Sequence, residues 1–123
     1  MGQLTQGFPA TGEAGGLDID SRGNLVLINS GVVNHGAPAV YVEAGCDPKC
    51  MLVAGPLPMQ GTGFYGHLNK DSTEFAAADS QNGTIDVYAY SPTSLTYMYS
   101  FGNGLQSGST GVGGVAYNPR SKE

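Results

Sequence analysis

The sequence predicts an all-β fold made of repeated four-stranded antiparallel units, two of them complete. Three observations carry this. Twenty glycines and seven prolines in 123 residues are too many for long helices, because glycine loosens and proline interrupts the helical ladder. A 40% apolar content with seven tyrosines and four phenylalanines is too hydrophobic for a chain that stays unfolded. Finally, one kind of phrase returns three times: GGLDIDSRGN from Gly15, FYGHLNKDST from Phe64 and GGVAYNPRSK from Gly113. Its anchors Leu17, Gly66 and Val115 lie at an equal spacing of 49 residues, and a period of that size marks a stacked structural unit.

The elements follow in chain order. Residues 4–8 read as an outer strand belonging to a preceding unit, within residues 1–12. The first unit, about 15–58, opens with an inner strand at 16–20 and a turn, Ser21-Arg22-Gly23-Asn24. LVLIN (25–29), AVYVEA (39–44) and MLVAG (51–55) supply three further strands, linked by a polar loop at 30–38 and by GCDPKC. The second unit, about 63–106, opens with FYGHLN, turns at Lys70-Asp71-Ser72, and continues through TEFAAAD. Asn82-Gly83, a strong hairpin signal, precedes TIDVYAYS. There Ile85, Val87 and Ala89 alternate with Asp86, Tyr88 and Tyr90, the period of two of a strand. SPTS then leads into LTYMYSF, in which strict alternation places Leu95, Tyr97, Tyr99 and Phe101 on one face. Residues 109–123 provide the inner strand of a next unit.

Four antiparallel strands per unit, with both faces largely apolar or aromatic, describe a blade of a β-propeller. The phrase LDIDSRGNLVLINS, from Leu17 to Ser30, resembles the apolar-x-Asp-x-x-Gly-Asn-apolar signature of NHL-like, six-bladed propellers of the gluconolactonase and strictosidine-synthase type. LNKDSTEFAAADS departs from it by replacing the Gly-Asn turn. The resemblance implies an architecture, and for the enzymes of that type a divalent cation on the ring axis held by inner-strand carboxylates and amides. Asp18, His67 and Asn69 are the positions that match such a role. Propellers close with about four to eight blades, so two blades alone leave an apolar face open at each end, and faces of that kind drive association. The expectation is therefore an excerpt of a larger propeller or a protomer that closes a ring with copies of itself. Its partners are other blades, with an unknown small ligand or protein as recognised target.

Charge narrows the function classes. A net charge of −5 with five scattered basic residues argues against nucleic acid or an anionic membrane as partner, since both require clustered Lys and Arg. No apolar run approaches the roughly 18 residues of a membrane span, and the first residues carry no signal-peptide pattern. Cys46 and Cys50 flank Asp47-Pro48 in GCDPKC. They read either as a hairpin disulfide, with an extracellular or periplasmic location, as two free thiols, or as half of a zinc motif.

Candidate chemistry is sparse. Asp18, Asp20 and Asn24 imitate the start of a calcium loop, but the twelfth position holds Asn29 where a bidentate Glu is needed, and a turn with glycine in the left-handed region explains the same residues. SGSTGVGG precedes a strand and lacks the helix of a phosphate loop. Tyr88, Tyr90, Tyr97 and Tyr99 serve packing or recognition. The leading expectation is a noncatalytic binding or interaction module without a required cofactor, presenting loops 30–38 and 102–113. The alternatives are part of a metal-dependent lactonase or lyase propeller, and an oligomeric sugar-binding lectin.

Overall fold

The computed structural model describes residues 3–4, 14–29, 37–45, 49–61, 65–102 and 117–118. They form an all-β structure of two four-stranded antiparallel sheets, the first carrying one short extra strand. In the first sheet β2 (Ala14–Ile19), β3 (Leu25–Asn29), β4 (Ala39–Ala44) and β5 (Lys49–Pro58) run antiparallel in chain order. In the second, β6 (Gly66–Leu68), β7 (Glu74–Asp79), β8 (Thr84–Ser91) and β9 (Ser94–Phe101) repeat the plan. The two-residue β1 (Gln3–Leu4) pairs parallel with β5 through Leu4 and Cys50. Gln3 and Leu4, at the start of the segment that the sequence assigned to a preceding unit, thus form a short fifth, edge strand of the first sheet.

The sheets stack face to face, with β2 beside β6 and β5 beside β9. Alternation decides what fills the space between them. Val26, Ile28, Val40 and Val42 point from the first sheet into a core shared with Phe75, Ala77, Tyr88 and Tyr90 of the second. Leu68, Leu57 and Leu95 pack against its margin. The intervening residues face the other way. Leu27, Ala39 and Tyr41 form a cluster on the outward side of the first sheet. Ala76, Ala78, Ile85 and Val87 form one on the far side of the second, where Tyr117 packs against them.

The repeat survives with one adjustment. Ile19 pairs with Leu25 across the first turn, and Leu68 with Phe75 across the second, so the second turn is one residue longer. Asp20 and Asn69 play the same part in the two turns. Each accepts amide hydrogen bonds on its side-chain oxygen, from Arg22 and Asn24 (both 2.9 Å) and from Thr73 (2.8 Å) and Glu74 (3.0 Å) respectively. Gly23 adopts φ of 85° in the first turn, and Ser72 takes the matching left-handed conformation at 54°. The lost Gly-Asn pair therefore changes the chemistry and the length of the turn, while the left-handed residue keeps its place.

One expectation is corrected. A β-bulge lies between the pairs Val87–Tyr99 and Tyr88–Tyr97, leaving Met98 as the extra residue. Leu95 and Tyr97 consequently share the core-facing side with Tyr88 and Tyr90, and the Tyr97 ring meets Tyr88 edge-on at 5.9 Å. Tyr99 and Phe101 turn to the far side with Val87 and Ile85. Strict alternation placed all four on one face; the bulge reverses the pleat half-way along β9.

Candidate functional site

Polar groups concentrate where the first and second turns, residues 20–24 and 69–74, approach each other at one end of the stack. Asp20 is nearly buried and receives donors on both oxygens: the amides of Arg22 and Asn24 on Oδ1, with the Asn24 side chain (2.8 Å) and the Tyr90 hydroxyl (2.8 Å) on Oδ2. Burial alone raises its pKa, but the hydrogen bonds from Asn24, Tyr90 and Arg22 outweigh that and hold the carboxyl below the ordinary aspartate value. Burial, followed by the Asp20 carboxylate, pushes the Tyr90 phenol well above its usual range. The amide of Ser21 donates to Ser72 Oγ at 2.8 Å, so the turn of one sheet is tied to the turn of the other.

Between these turns lies a cleft of about 230 Å³. Arg22 and Asp71 bring charge to its rim, Ser72 and Thr73 bring hydroxyls, and Tyr90 with Pro92 offers an apolar flank. A carboxylate that already takes four donors and has reduced proton affinity is a poor general base, and its hydrogen bonds fit Asp20 to organise this cleft. The arrangement suits recognition of a polar group by hydrogen bonding.

The candidate cation ligands divide. Asp18 and His67 come together, with His67 Nδ1 3.6 Å from Asp18 Oδ2. The same Asp18 oxygen accepts the Leu68 amide at 2.8 Å, and Oδ1 accepts the amide of Ile19 at 2.7 Å. Asp18 is thereby an inter-sheet tie. Asn69 spends its side-chain oxygen on Thr73 and Glu74 and donates from Nδ2 to Thr73 Oγ1 at 3.0 Å. Among the described residues no group of three His, Cys, Asp or Glu side chains is arranged to hold a metal ion. Cys50 is buried and disulfide-bonded, whereas Cys46 lies outside the described residues, as do His35 and most of the loops 30–38 and 102–113.

A second polar centre was not legible in the sequence. Asp79 and Asp86 are both buried on the core-facing side of the second sheet. Asp79 caps its own hairpin through the amides of Gln81 (2.9 Å) and Asn82 (3.0 Å) and the Asn82 side chain (2.7 Å). Asp86 accepts from Thr84 (2.8 Å) and Ser100 (2.7 Å). Burial first, and then the neighbouring Asp79, raise the pKa of Asp86 against the lowering effect of these two hydroxyls. Gly61, in the connection between the sheets, lies directly against the Asp79 carboxylate. The Asp79-to-Gly83 spacing, so close to Asp20-to-Asn24, was the available signal for the cap; the approach of Asp86 depends on strand register.

Glu43 is the other finding. It lies on β4 facing outward, fully buried, with neither carboxylate oxygen hydrogen-bonded. Burial raises its pKa. Comparison with family models, with curated proteins and with solved structures gives no match.

Proposed function

We propose that this chain is a noncatalytic binding module built from two adjacent blades of an NHL-like β-propeller, with recognition at the turn-bearing end of the stack. The observation that carries the reading is the repeated interface. Leu68, on the first strand of the second sheet, packs against the core shared by the two sheets. Tyr117, 49 residues later, packs in the same manner against the far side of the second sheet. Leu68 thus lies on the side of the second sheet that faces the first and Tyr117 on the opposite side, the order expected where blades succeed one another around an axis. The cleft beside Asp20 and Tyr90 lies between two such units, where a rigid scaffold presents polar turn residues to solvent.

Light scattering of the purified chain over a concentration series tests the ring. Three or four copies per particle are expected, corresponding to six or eight blades. A monomer at every concentration, or a polydisperse aggregate, counts against closure by copies of this chain.

A further inference from the structure

The cleft between the first and second turns has a one-sided inventory of hydrogen-bonding groups. Its backbone amides are committed to the scaffold: Arg22 to the Asp20 carboxylate at 2.9 Å, Ser72 to the Asn69 carbonyl at 3.0 Å and Thr73 to Asn69 Oδ1 at 2.8 Å. The hydroxyls of Ser72 and Thr73 also serve the scaffold, but as acceptors. Ser72 Oγ takes the amide of Ser21 at 2.8 Å, and Thr73 Oγ1 takes Asn69 Nδ2 at 3.0 Å. Each spends a lone pair in this way and keeps its proton, for which no acceptor stands among the described residues. The Arg22 guanidinium adds donors only. Burial raises the pKa of the Tyr90 phenol and the charge of Arg22 acts to lower it, which puts the guanidinium near that side of the cleft. A group rich in acceptors and without donors answers this set, and a carboxylate is the smallest one that also matches a guanidinium.

Charge limits what carries the carboxylate. Asp71 lines the same cleft, Asp20 is buried beside it, and the chain has a net charge of −5. A ligand that is only an anion is repelled by these groups. Arg22 and Asp71 project from facing turns and are exposed, yet they do not pair: the one ion pair among the described residues joins His67 to Asp18. Two opposite charges held apart across a cleft offer one place to each end of a dipolar ligand. The ties from Tyr90 to Asp20 and from Ser21 to Ser72 fix the two turns before any ligand arrives, so little ordering is left to oppose binding.

We infer that the cleft binds a small zwitterion of the α-amino acid type, its carboxylate on Arg22 and the hydroxyls of Ser72 and Thr73, and its ammonium toward Asp71. The inference rests on the recognition cleft proposed above and names the class of its ligand. The volume of about 230 Å³ sets the size at a few heavy atoms, and Tyr90 with Pro92 gives a short apolar side chain a surface to lie on.

Backbone amide chemical shifts of the isotope-labelled chain, titrated with alanine, propanoate and ethylamine, test this. Alanine is expected to move the Ser72 and Thr73 amides with a dissociation constant of about 1 mM, the scale for so few heavy atoms. Propanoate, which lacks the ammonium, binds about threefold more weakly, as an exposed charge pair is worth. Ethylamine, which lacks the carboxylate, binds about tenfold more weakly, the scale of charge-assisted hydrogen bonds. Arg22→Ala weakens alanine by a similar tenfold, and Asp71→Asn removes the advantage of alanine over propanoate; circular dichroism checks that both exposed substitutions leave the fold intact. Equal binding of alanine and propanoate, unaltered by Asp71→Asn, overturns the zwitterion and leaves the cleft as a carboxylate site. If none of the three moves these amides, or if the shifts lie away from both turns, the inference falls and recognition at this end of the stack falls with it.

Discussion

At the scale of single residues, Glu43 is the most exposed to test. An ionised carboxylate without donors in a dry site is costly, so the folded chain favours its protonated form. The raised pKa fixes the sign of the linkage. Below the ordinary glutamate range both folded and unfolded chains carry the proton, and the group costs nothing through ionisation. As pH rises toward the raised value the unfolded chain releases its proton first, and stability falls. Glu43→Gln is therefore expected to stabilise the chain by about 1 kcal/mol at neutral pH, with the gain vanishing in acid. Urea titrations at two pH values measure it; a pH-independent difference contradicts the assignment. Asp20 behaves oppositely. Its depressed pKa contributes stability that is present above the unfolded aspartate pKa and lost as pH falls through the folded one.

At the scale of elements, the passage from β5 to β6 is constrained by Gly61. A β-carbon built there runs into the Asp79 carboxylate, which is itself held by three donors from its own hairpin. Gly61→Ala is expected to cost about 2 kcal/mol, as overpacking in a filled site does, measured by the shift of the urea midpoint. An unchanged midpoint means that the connection moves aside. The strands themselves were well marked in the sequence. TIDVYAYS alternates along its length because one face meets the other sheet and one meets Tyr117. LVLIN and AVYVEA are apolar apart from Asn29 and Glu43 because both of their faces are covered. The bulge at Met98 left no trace in the pattern, since a bulge shifts alternation by one residue without altering composition. The side chains of Asp20 and Tyr90 meet across 70 positions of sequence, and no local rule links them. The turn around Asn69 was read as a departure because its glycine was missing; Ser72 adopts the same backbone and hides the likeness.

At the scale of the whole molecule, two sheets behave as one body through a shared core and a few polar ties. The core is nonpolar and tolerant in direction, so the ties set how the sheets are aligned. Tyr90→Phe removes the hydroxyl from Asp20 and keeps the ring. The expected loss is about 1.5 kcal/mol, the scale of a hydrogen bond to a charged group, together with a rise in the Asp20 pKa seen by carboxyl NMR titration. A loss of stability with no change in that titration means that the ring, and not the hydroxyl, does the aligning. The all-β class and the four-stranded units were legible because composition and period are properties of the sequence alone. The cleft was not, since it is made by two turns that become neighbours only when the sheets stack.

The unequal turns have a consequence for how such a chain diversifies. The second turn carries an additional residue, yet the pleat beyond it resumes with the same residues facing inward and outward. Length can therefore vary at this one bend without a frameshift in the packing code of the strands that follow. The bend is also the rim of the cleft. Insertions and deletions, which elsewhere in a sheet would scramble the interior, fall here on the rim of the cleft, so repeated units are free to differ at their turns while remaining interchangeable in how they stack.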